Sequence, residues 1–217
     1  MAESRHMPDA RPHPWRPVFP VMRWLALAWL FIWVPTYWVV WGWPNFLHIC
    51  DVAVVLACIG LWRGDALLLS SQAVSALVAG LAWSTDAGGR LLFGRHPFGG
   101  TEFLWDAQVM LGVRLLSLYH VVLPVLLVWS LVRVGYDRRG LPLQCGLAAG
   151  LLVASRFFGP SLNLNFAFTD PVFHRAWGPG PVHPAAMLAG MIVVTYLPAH
   201  WALKRFLPPA GKRASTA

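Results

Sequence analysis

Long apolar stretches separated by short polar ones dominate this chain. Six stretches are long enough, at about 1.5 Å per residue, to cross or nearly cross a hydrocarbon core of about 30 Å. The predicted membrane-spanning helices cover 24–43, 45–62, 66–83, 107–134, 141–158 and 183–206. The pattern therefore predicts an all-α fold, a polytopic transmembrane bundle of six helices in one domain at 24–206.

The polar stretches differ in length, and the two longest are candidates for function. The stretches 84–106 and 159–182 are long and contain several glycines and polar residues, which is typical of functional or mobile loops. The other connections are short turns. Residues 1–23 are predicted to form a basic mobile tail, and 207–217 a disordered tail.

The composition supports a membrane protein and excludes several other classes. Only 12% of the residues are charged, against about 25% in soluble globular chains. The aromatic residues flank or lie within the apolar stretches, as interfacial belts do, so no nucleic-acid partner is predicted. Three scattered cysteines argue against both a disulfide framework and a zinc ribbon.

The distribution of basic residues predicts how the chain is inserted. With six spans, twelve Lys and Arg residues fall on the side of the two termini and five on the other side. Because positive charge is retained in the cytoplasm, both termini are predicted to be cytoplasmic and the two long loops to lie outside a cell membrane. The basic excess is also suited to contact with anionic lipid headgroups.

Two of the predicted spans carry ionisable groups at a spacing of three. Asn45, His48 and Asp51 are predicted to share one face of the second span, because positions three apart are neighbours on a helix. A carboxylate facing lipid costs about 2.5 kcal/mol or more, so Asp51 must face protein, water or a metal.

The fourth span carries Arg114, Ser117 and His120 at the same spacing. Both spans start on the outer side, so we expect His48, Asp51 and His120 to form one site in the outer half of the membrane.

Three interpretations of this site remain open from the residues. His48, Asp51 and His120 supply a two-histidine, one-carboxylate set that a divalent metal could use. Asp51 could instead orient a histidine that moves protons during acyl transfer or hydrolysis. In the third interpretation Asp51 pairs with Arg114 or Arg156, and the histidines bond to backbone carbonyls, solely for helix association.

No nucleophile is evident in the sequence. Ser117 shares a predicted face with His120 and is the best geometric candidate, and Thr36 and Thr101 are others. Cys50 lies about 200° around the predicted helix from His48, so we expect it to point away. None of the hydroxyl residues stands in a GxSxG context.

Three motifs carry a resemblance to a known family. The sequences LHICDVAVVLACIGL, SLYHVVLPVLL and NLNFAF resemble the YwaF-like bacterial integral membrane proteins, over roughly residues 45–168. The matching positions are His48, His120 and Asn165, and the family leads us to expect an uncharged residue where this chain has Asp51.

The family is more distantly similar to animal membrane enzymes that transfer or hydrolyse fatty-acyl groups. The resemblance thus implies a lipid acyl hydrolase or acyltransferase with membrane lipids as partners. The polar residues expected to support the site are Asn45, Arg114, Ser117, Asn163 and Asn165.

Two other function classes stay open: a small-solute or proton-coupled transporter, and a non-catalytic membrane assembly factor. A transporter needs polar groups accessible from both sides. The inner half offers one ionisable group within the spans, His200, which favours a lipid site facing outward. No protein partner and no definite cofactor is predicted.

Overall fold

The computed structural model describes residues 18–211, and every regular element in that part of the chain is helical. The α-helices are α1 (Met22–Trp41), α2 (Ile49–Arg63), α3 (Ala66–Phe93), α4 (Leu111–Leu116), α5 (Tyr119–Val134), α6 (Gly140–Ser155), α7 (Val182–Gly190) and α8 (Leu197–Phe206). Short 3-10 segments occupy Trp43–Leu47, Glu102–Leu104, Arg156–Phe158 and Leu164–Phe166, and a π-helical turn, Met191–Tyr196, joins α7 to α8. The predicted all-α class is therefore confirmed. The tail predictions for 1–17 and 212–217 lie outside the described residues.

Five helical rods of the described chain are long and apolar enough to cross a membrane. They are Met22–Trp41, Ala66–Phe93, Leu111–Val134, Gly140–Phe158 and Val182–Phe206. By helix length and hydropathy, this is a multi-pass membrane protein. The remaining predicted span, 45–62, has a different construction.

The second predicted span is not one continuous helix. Residues Trp43–Leu47 form a 3-10 turn, His48 is extended with φ −61° and ψ 135°, and α2 has only 15 residues. A proline at position 44 cannot donate a backbone hydrogen bond, and the extended His48 separates the turn from α2. The prediction that Asn45, His48 and Asp51 share one α-helical face is therefore wrong.

The 3-10 turn and α2 together nevertheless run back alongside α1. The thiol of Cys58, late in α2, donates to the carbonyl of Ala26, early in α1, over 3.7 Å. A Cβ on Gly64, just after α2, would lie 3.0 Å from Cγ2 of Val18. The 3-10 turn and α2 together thus cover the same length of the bundle as α1.

Helix α3 is longer than the sequence pattern predicts. It continues through 84–93, the first part of the stretch predicted to be a loop. The carboxylate of Asp65 caps its start by accepting from the backbone N–H groups of Leu67 and Leu68, and Gly94 ends it with φ +70°. No proline occurs between Ala66 and Gly94, so nothing breaks the helix before Gly94.

The fourth predicted span is divided between α4 and α5 rather than bent at its proline. The hydroxyl of Ser117 donates to the carbonyl of Arg114 over 2.6 Å, at the point where the two helices meet. Pro124 lies inside α5 and packs against α3. A Cβ on Gly80 of α3 would lie 2.5 Å from Cγ of Pro124 and 2.7 Å from the carbonyl of His120, so this close approach requires glycine.

The first and last described residues lie at the same end of the bundle. Val18 packs against Gly64, and the backbone N–H of Ala210 donates to the carbonyl of Tyr136 over 3.0 Å. The N–H of Asp137 donates to Oγ of Ser70 over 2.8 Å, which joins these turns.

We call this end, with residues 18, 64–65, 135–139 and 208–210, the short-turn end. The opposite end, with 42–48, 94–110 and 159–181, is the loop end. Because the described chain starts and finishes at one end, it makes an even number of passages along the bundle.

Candidate functional site

Asp51 lies in the first turn of α2, in the half of the bundle nearest the loop end, and is 2% exposed. Its Oδ2 accepts a hydrogen bond from Nδ2 of Asn45 over 2.5 Å, and its Oδ1 accepts one from the hydroxyl of Tyr119 over 2.7 Å. The free N–H groups at the start of a helix favour a negative charge there. Neutral donors and the N-terminus of α2 therefore surround this carboxylate.

The predicted ion pair between Asp51 and Arg114 or Arg156 is wrong. Nη1 of Arg114 donates to the carbonyl of Leu104, and Nη1 of Arg156 to the carbonyl of Ala167, each over 3.1 Å. Across residues 18–211, the ion pairs join His96 with Asp86 and Arg139 with Asp137. Both arginines instead donate hydrogen bonds to backbone carbonyls of the long loops, which lie closer to them than Asp51 does.

Cys50 lies beside Asp51, contrary to the prediction that it points away. Its Sγ is 3.9 Å from Oδ1 of Asp51, and the side chain is half-buried. The prediction was wrong because it assumed that His48 and Cys50 belong to one helix, whereas His48 is extended and lies before α2. The sequence signal that could have identified Cys50 is its position next to the one carboxylate of the second predicted span.

Tyr119 connects Asp51 to His120. The ring of Tyr119 stacks on that of His120 with 4.1 Å between centroids, and His120 stacks on Trp83 of α3 at 4.9 Å. Nδ1 of His120 lies 2.9 Å from the carbonyl of Ser117, so it carries the hydrogen and leaves Nε2 with a lone pair. The sequence pattern did not identify Tyr119, although this residue immediately precedes His120, which was a candidate site residue.

The metal interpretation finds no support within residues 18–211. No group of three or more His, Cys, Asp and Glu side chains in this range is placed to hold a metal ion. The ring of His120 lies between two aromatic rings, and the oxygens of Asp51 accept from Tyr119 and Asn45. The carboxylate of Asp51 and the ring of His120 are thus engaged by other side chains.

The hydroxyl candidates for a nucleophile are engaged elsewhere. Ser117 is buried and donates to the carbonyl of Arg114, as described above. Thr36 donates to the carbonyl of Ile32 over 2.7 Å, and Thr101 donates to Oδ2 of Asp86. Backbone bonding of this kind is the usual state of helical Ser and Thr, which leaves the Cys50 thiol as the nucleophile nearest Asp51.

Asn165 fixes the start of α2 from a distant loop. Its Oδ1 accepts from the N–H of Ile49, and its Nδ2 donates to the carbonyl of Leu47 and to Oγ of Ser155, at 2.8, 2.8 and 2.9 Å. The residue is in the left-handed conformation with φ 53°, which asparagine tolerates better than most residues. Asn165 is therefore hydrogen-bonded to the backbone on both sides of His48.

Asn163 does not contact this site. It also has a positive φ, 39°, but its side chain bonds to Phe168 and Thr169 within its own loop. Of the two asparagines of the loop after α6 that were predicted to support the site, the structure places only Asn165 against it.

The site extends from the interior to the surface of the bundle. Asp51 and Tyr119 are buried, whereas Asn45, His48, Cys50 and His120 are half-buried. The thiol and the imidazoles are therefore partly exposed, whereas the carboxylate is not.

A second polar cluster, at the loop end, has a structural role. Asp86 is fully buried and accepts from the N–H groups of Phe98 and Gly99 at 2.7 and 2.8 Å. Nδ1 of His96 lies 2.9 Å from its Oδ2. These bonds fold residues 94–101 back onto the end of α3, and they explain why polar residues from that stretch do not join Asp51.

Comparison of the chain with models of protein families, with curated proteins and with solved structures finds no match. A function for this protein must therefore be argued from the geometry around Asp51. That geometry brings together His48, His120 and Asn165, the residues at the three motif positions, around one end of α2 and one turn of α5.

Proposed function

We propose that this protein is a membrane enzyme that transfers or hydrolyses acyl groups of membrane lipids in the outer half of the bilayer. The proposal is carried by one observation: the thiol of Cys50 lies 3.9 Å from Oδ1 of Asp51, a buried carboxylate held by neutral donors. A thiol next to a proton acceptor is the arrangement of an activated nucleophile.

The reaction proceeds in two balanced steps. In the first, Asp51 accepts the thiol proton while Sγ of Cys50 bonds to the carbonyl carbon of a lipid ester. The ester C–O bond then breaks, and the proton passes to the leaving oxygen. In the second, water or the hydroxyl of another lipid attacks the thioester, which frees the thiol and gives a fatty acid or a new ester.

The histidines are suited to the second step. Nε2 of His120 carries the lone pair and belongs to a half-buried ring, so it can take the proton of the attacking water or hydroxyl. His48 is half-buried and lies immediately before α2, two residues from Cys50. Asn45 and Tyr119 hold the carboxylate in position throughout.

The resemblance of the three motifs to YwaF-like proteins supports the same chemistry. That family is distantly similar to enzymes that transfer or hydrolyse fatty-acyl groups, and membership in it is part of this proposal. The motif residues His48, His120 and Asn165 all lie at or beside the proposed centre.

The charge at the two ends supports the insertion that this function requires. The short-turn end carries Arg138 and the pair Arg139–Asp137, and α5 and α8 add Arg133, Lys204 and Arg205 in their last turns. Arg139, by hydrogen bonding, lowers the pKa of Asp137. Both termini are therefore proposed to be cytoplasmic, which puts the Asp51 centre in the outer half of the cell membrane.

The polar groups in the other half of the bundle favour helix association over a transport path. Oγ of Ser71 donates to Oε1 of Gln144 over 3.2 Å, and Nε2 of Gln144 donates to the hydroxyl of Tyr196 over 3.4 Å. These buried side chains are uncharged and bond to one another across α3, α6 and the π-helical turn, as structural bonds between membrane helices do.

Mass spectrometry of lipids incubated with the purified protein in nanodiscs tests the proposal. We expect release or transfer of a labelled acyl chain, and a hydroxylamine-sensitive acyl group on Cys50. Cys50→Ala should abolish both, whereas Cys145→Ala, which changes a half-buried thiol on α6, should leave them intact. A Cys50→Ala protein with the parental rate would contradict the proposal, and proton-driven solute accumulation in vesicles would favour a transporter.

A further inference from the structure

A shallow cavity of about 330 Å³ lies at the short-turn end of the bundle. The residues that line it are Tyr136, Asp137, Arg138, Arg139, Pro209 and Ala210. The backbone N–H of Tyr136 donates to the carbonyl of Pro208 over 2.7 Å, and the N–H of Ala210 donates to the carbonyl of Tyr136. The cavity is therefore formed between the turn that precedes α6 and the segment that follows α8.

The lining of this cavity carries a positive charge that its own acidic residue does not cancel. Asp137 is paired with Arg139, whose Nη2 donates to Oδ2 of the carboxylate over 2.7 Å. Arg138 is exposed and forms no ion pair within residues 18–211. The guanidinium group of Arg138 thus remains available to an anion from outside the protein.

The end of α8 brings further basic side chains to the same place. Lys204 and Arg205 are exposed in its last turn, and neither forms an ion pair in the described part of the chain. The hydroxyl of Tyr136 lies 2.6 Å from Nδ1 of His200, which is four positions before Lys204 and so on the same face of α8. Arg138 and Lys204 are both close enough to the imidazole of His200 to interact with it electrostatically.

Exposed aromatic rings lie directly beside these basic groups. Trp201 is 70% exposed and precedes Lys204 by three positions, so the two side chains are neighbours on α8. Phe206 is 77% exposed, and the guanidinium carbon of Arg205 is 5.7 Å from the centroid of its ring. Aromatic rings at the end of a membrane-spanning helix lie at the level of the lipid headgroups. The surface therefore joins a cationic part to an apolar part, which matches the two parts of a phospholipid.

We propose that the short-turn end binds an anionic phospholipid, with its phosphate held by Arg138 and Lys204 and an acyl chain lying along α8 beside Trp201. Arginine and lysine form charge-assisted hydrogen bonds with phosphate oxygens. Basic pockets at the ends of membrane helices bind anionic headgroups in this way. The unpaired cations favour a headgroup with a net negative charge over a zwitterionic one, because they repel the cationic part of a zwitterion.

Native mass spectrometry of the full chain, titrated with phosphatidylglycerol or with phosphatidylcholine of the same acyl chains, tests this site. We expect tighter binding of phosphatidylglycerol. Arg138→Gln and Lys204→Gln should each raise its Kd about fivefold, the usual contribution of one basic residue near anionic lipid. Arg95→Gln removes an exposed charge at the loop end and should keep the parental Kd.

Three results of this titration would overturn the proposal. They are equal Kd values for the two lipids, a parental Kd in either Arg138→Gln or Lys204→Gln, and an equal loss of affinity in Arg95→Gln, which would show an effect of net charge alone.

A thermal melt provides a second measurement. Phosphatidylglycerol should raise the melting temperature of the parent more than that of Arg138→Gln, because a ligand stabilises the folded state that binds it. Without lipid the two proteins should melt alike, since Arg138 is exposed. Glycerol 3-phosphate has the phosphate but no acyl chain, and we expect it not to displace the lipid at equal concentration. Displacement would assign the cavity to a soluble phosphate compound and overturn the lipid site. None of these measurements requires acyl turnover, so they test this inference separately from the function proposed above.

Discussion

Oδ1 of Asn165 accepts a hydrogen bond from the backbone N–H of Ile49 over 2.8 Å, although 116 residues separate them in the chain. The bond satisfies one of the N–H groups that the first turn of a helix leaves unpaired. It fastens the long loop after α6 to the turn that carries Cys50 and Asp51. The proposed centre is therefore held from outside its own helices.

Asn165→Gly should lower activity more than Asn163→Gly does, because the side-chain hydrogen bonds of Asn163 stay within its own loop. Glycine accepts a positive φ at both positions, so the comparison isolates the side-chain bonds. Losing three bonds of about 0.5–1.5 kcal/mol each should reduce the free energy of unfolding by about 2–4 kcal/mol and allow the start of α2 to move. Detergent melting curves and acyl-release rates measure both effects. Equal losses of activity in the two variants would contradict a role for Asn165 in positioning the site.

Asp51→Asn should remain folded and lose acyl turnover. Among residues 18–211 no arginine pairs with this carboxylate, so the change strands no buried cation there, and an amide at 51 can still accept from Tyr119. We expect a stability change below about 1.5 kcal/mol, whereas breaking a buried ion pair costs about 3–5 kcal/mol. Melting curves of Asp51→Asn, His48→Gln and His120→Gln provide the comparison. A large loss of stability in Asp51→Asn alone would show that the carboxylate is structural.

Tyr119→Phe should weaken the site while Tyr37→Phe should not. Both tyrosines are buried and pack against Trp33, but only the hydroxyl of Tyr119 donates to Asp51. Removing that hydroxyl leaves Oδ1 without its closest donor and should cost about 1–3 kcal/mol together with most of the activity. Thermal melts and turnover of the two variants, measured side by side, check this; a greater loss in Tyr37→Phe would be the opposite of what we expect.

The sequence predicted the class of fold and most helix positions because apolar length is a strong signal in membrane proteins. The sequence-based prediction was wrong where local backbone geometry determines which residues lie together. Nothing in an apolar pattern shows that His48 is extended, yet this one residue separates Asn45 from α2 and places Cys50 at the site.

The pattern also could not predict hydrogen-bond partners that are distant in the sequence. The sequence identified Asp51 and His120 as polar groups that must avoid lipid, but not Tyr119, whose bond to Asp51 depends on how α2 and α5 pack. The ion pair with Arg114 or Arg156 was a reasonable expectation, since buried charges usually have partners. It failed because both guanidinium groups are used by loop carbonyls.

Gly80→Ala should destabilise the bundle, whereas Gly88→Ala should not. Both glycines lie in α3, where alanine is the better helix former by about 1 kcal/mol. At Gly80 the new methyl would meet Cγ of Pro124 at 2.5 Å and the carbonyl of His120 at 2.7 Å, but at Gly88 no packing atom from residues 18–211 lies within 4 Å.

Overpacking costs about 1–3 kcal/mol, so we expect Gly80→Ala to melt earlier and to shift the ring of His120. A melting temperature for Gly80→Ala at or above that of Gly88→Ala would show that α3 and α5 can separate without cost.

The two ends of the bundle should be accessible from opposite sides of the cell membrane. Arg138 is exposed at the short-turn end and Ala107 at the loop end, and the first and last described residues lie on the side of Arg138. From the charge distribution, we propose that this side faces the cytoplasm. In a chain whose Cys50, Cys58 and Cys145 are replaced by alanine, Ala107→Cys should react with a membrane-impermeant maleimide in intact cells. Arg138→Cys should react only after the membrane is opened. Labelling of both positions in intact cells would refute the insertion, and labelling of Arg138→Cys alone would invert it and place the Asp51 centre in the cytoplasmic half.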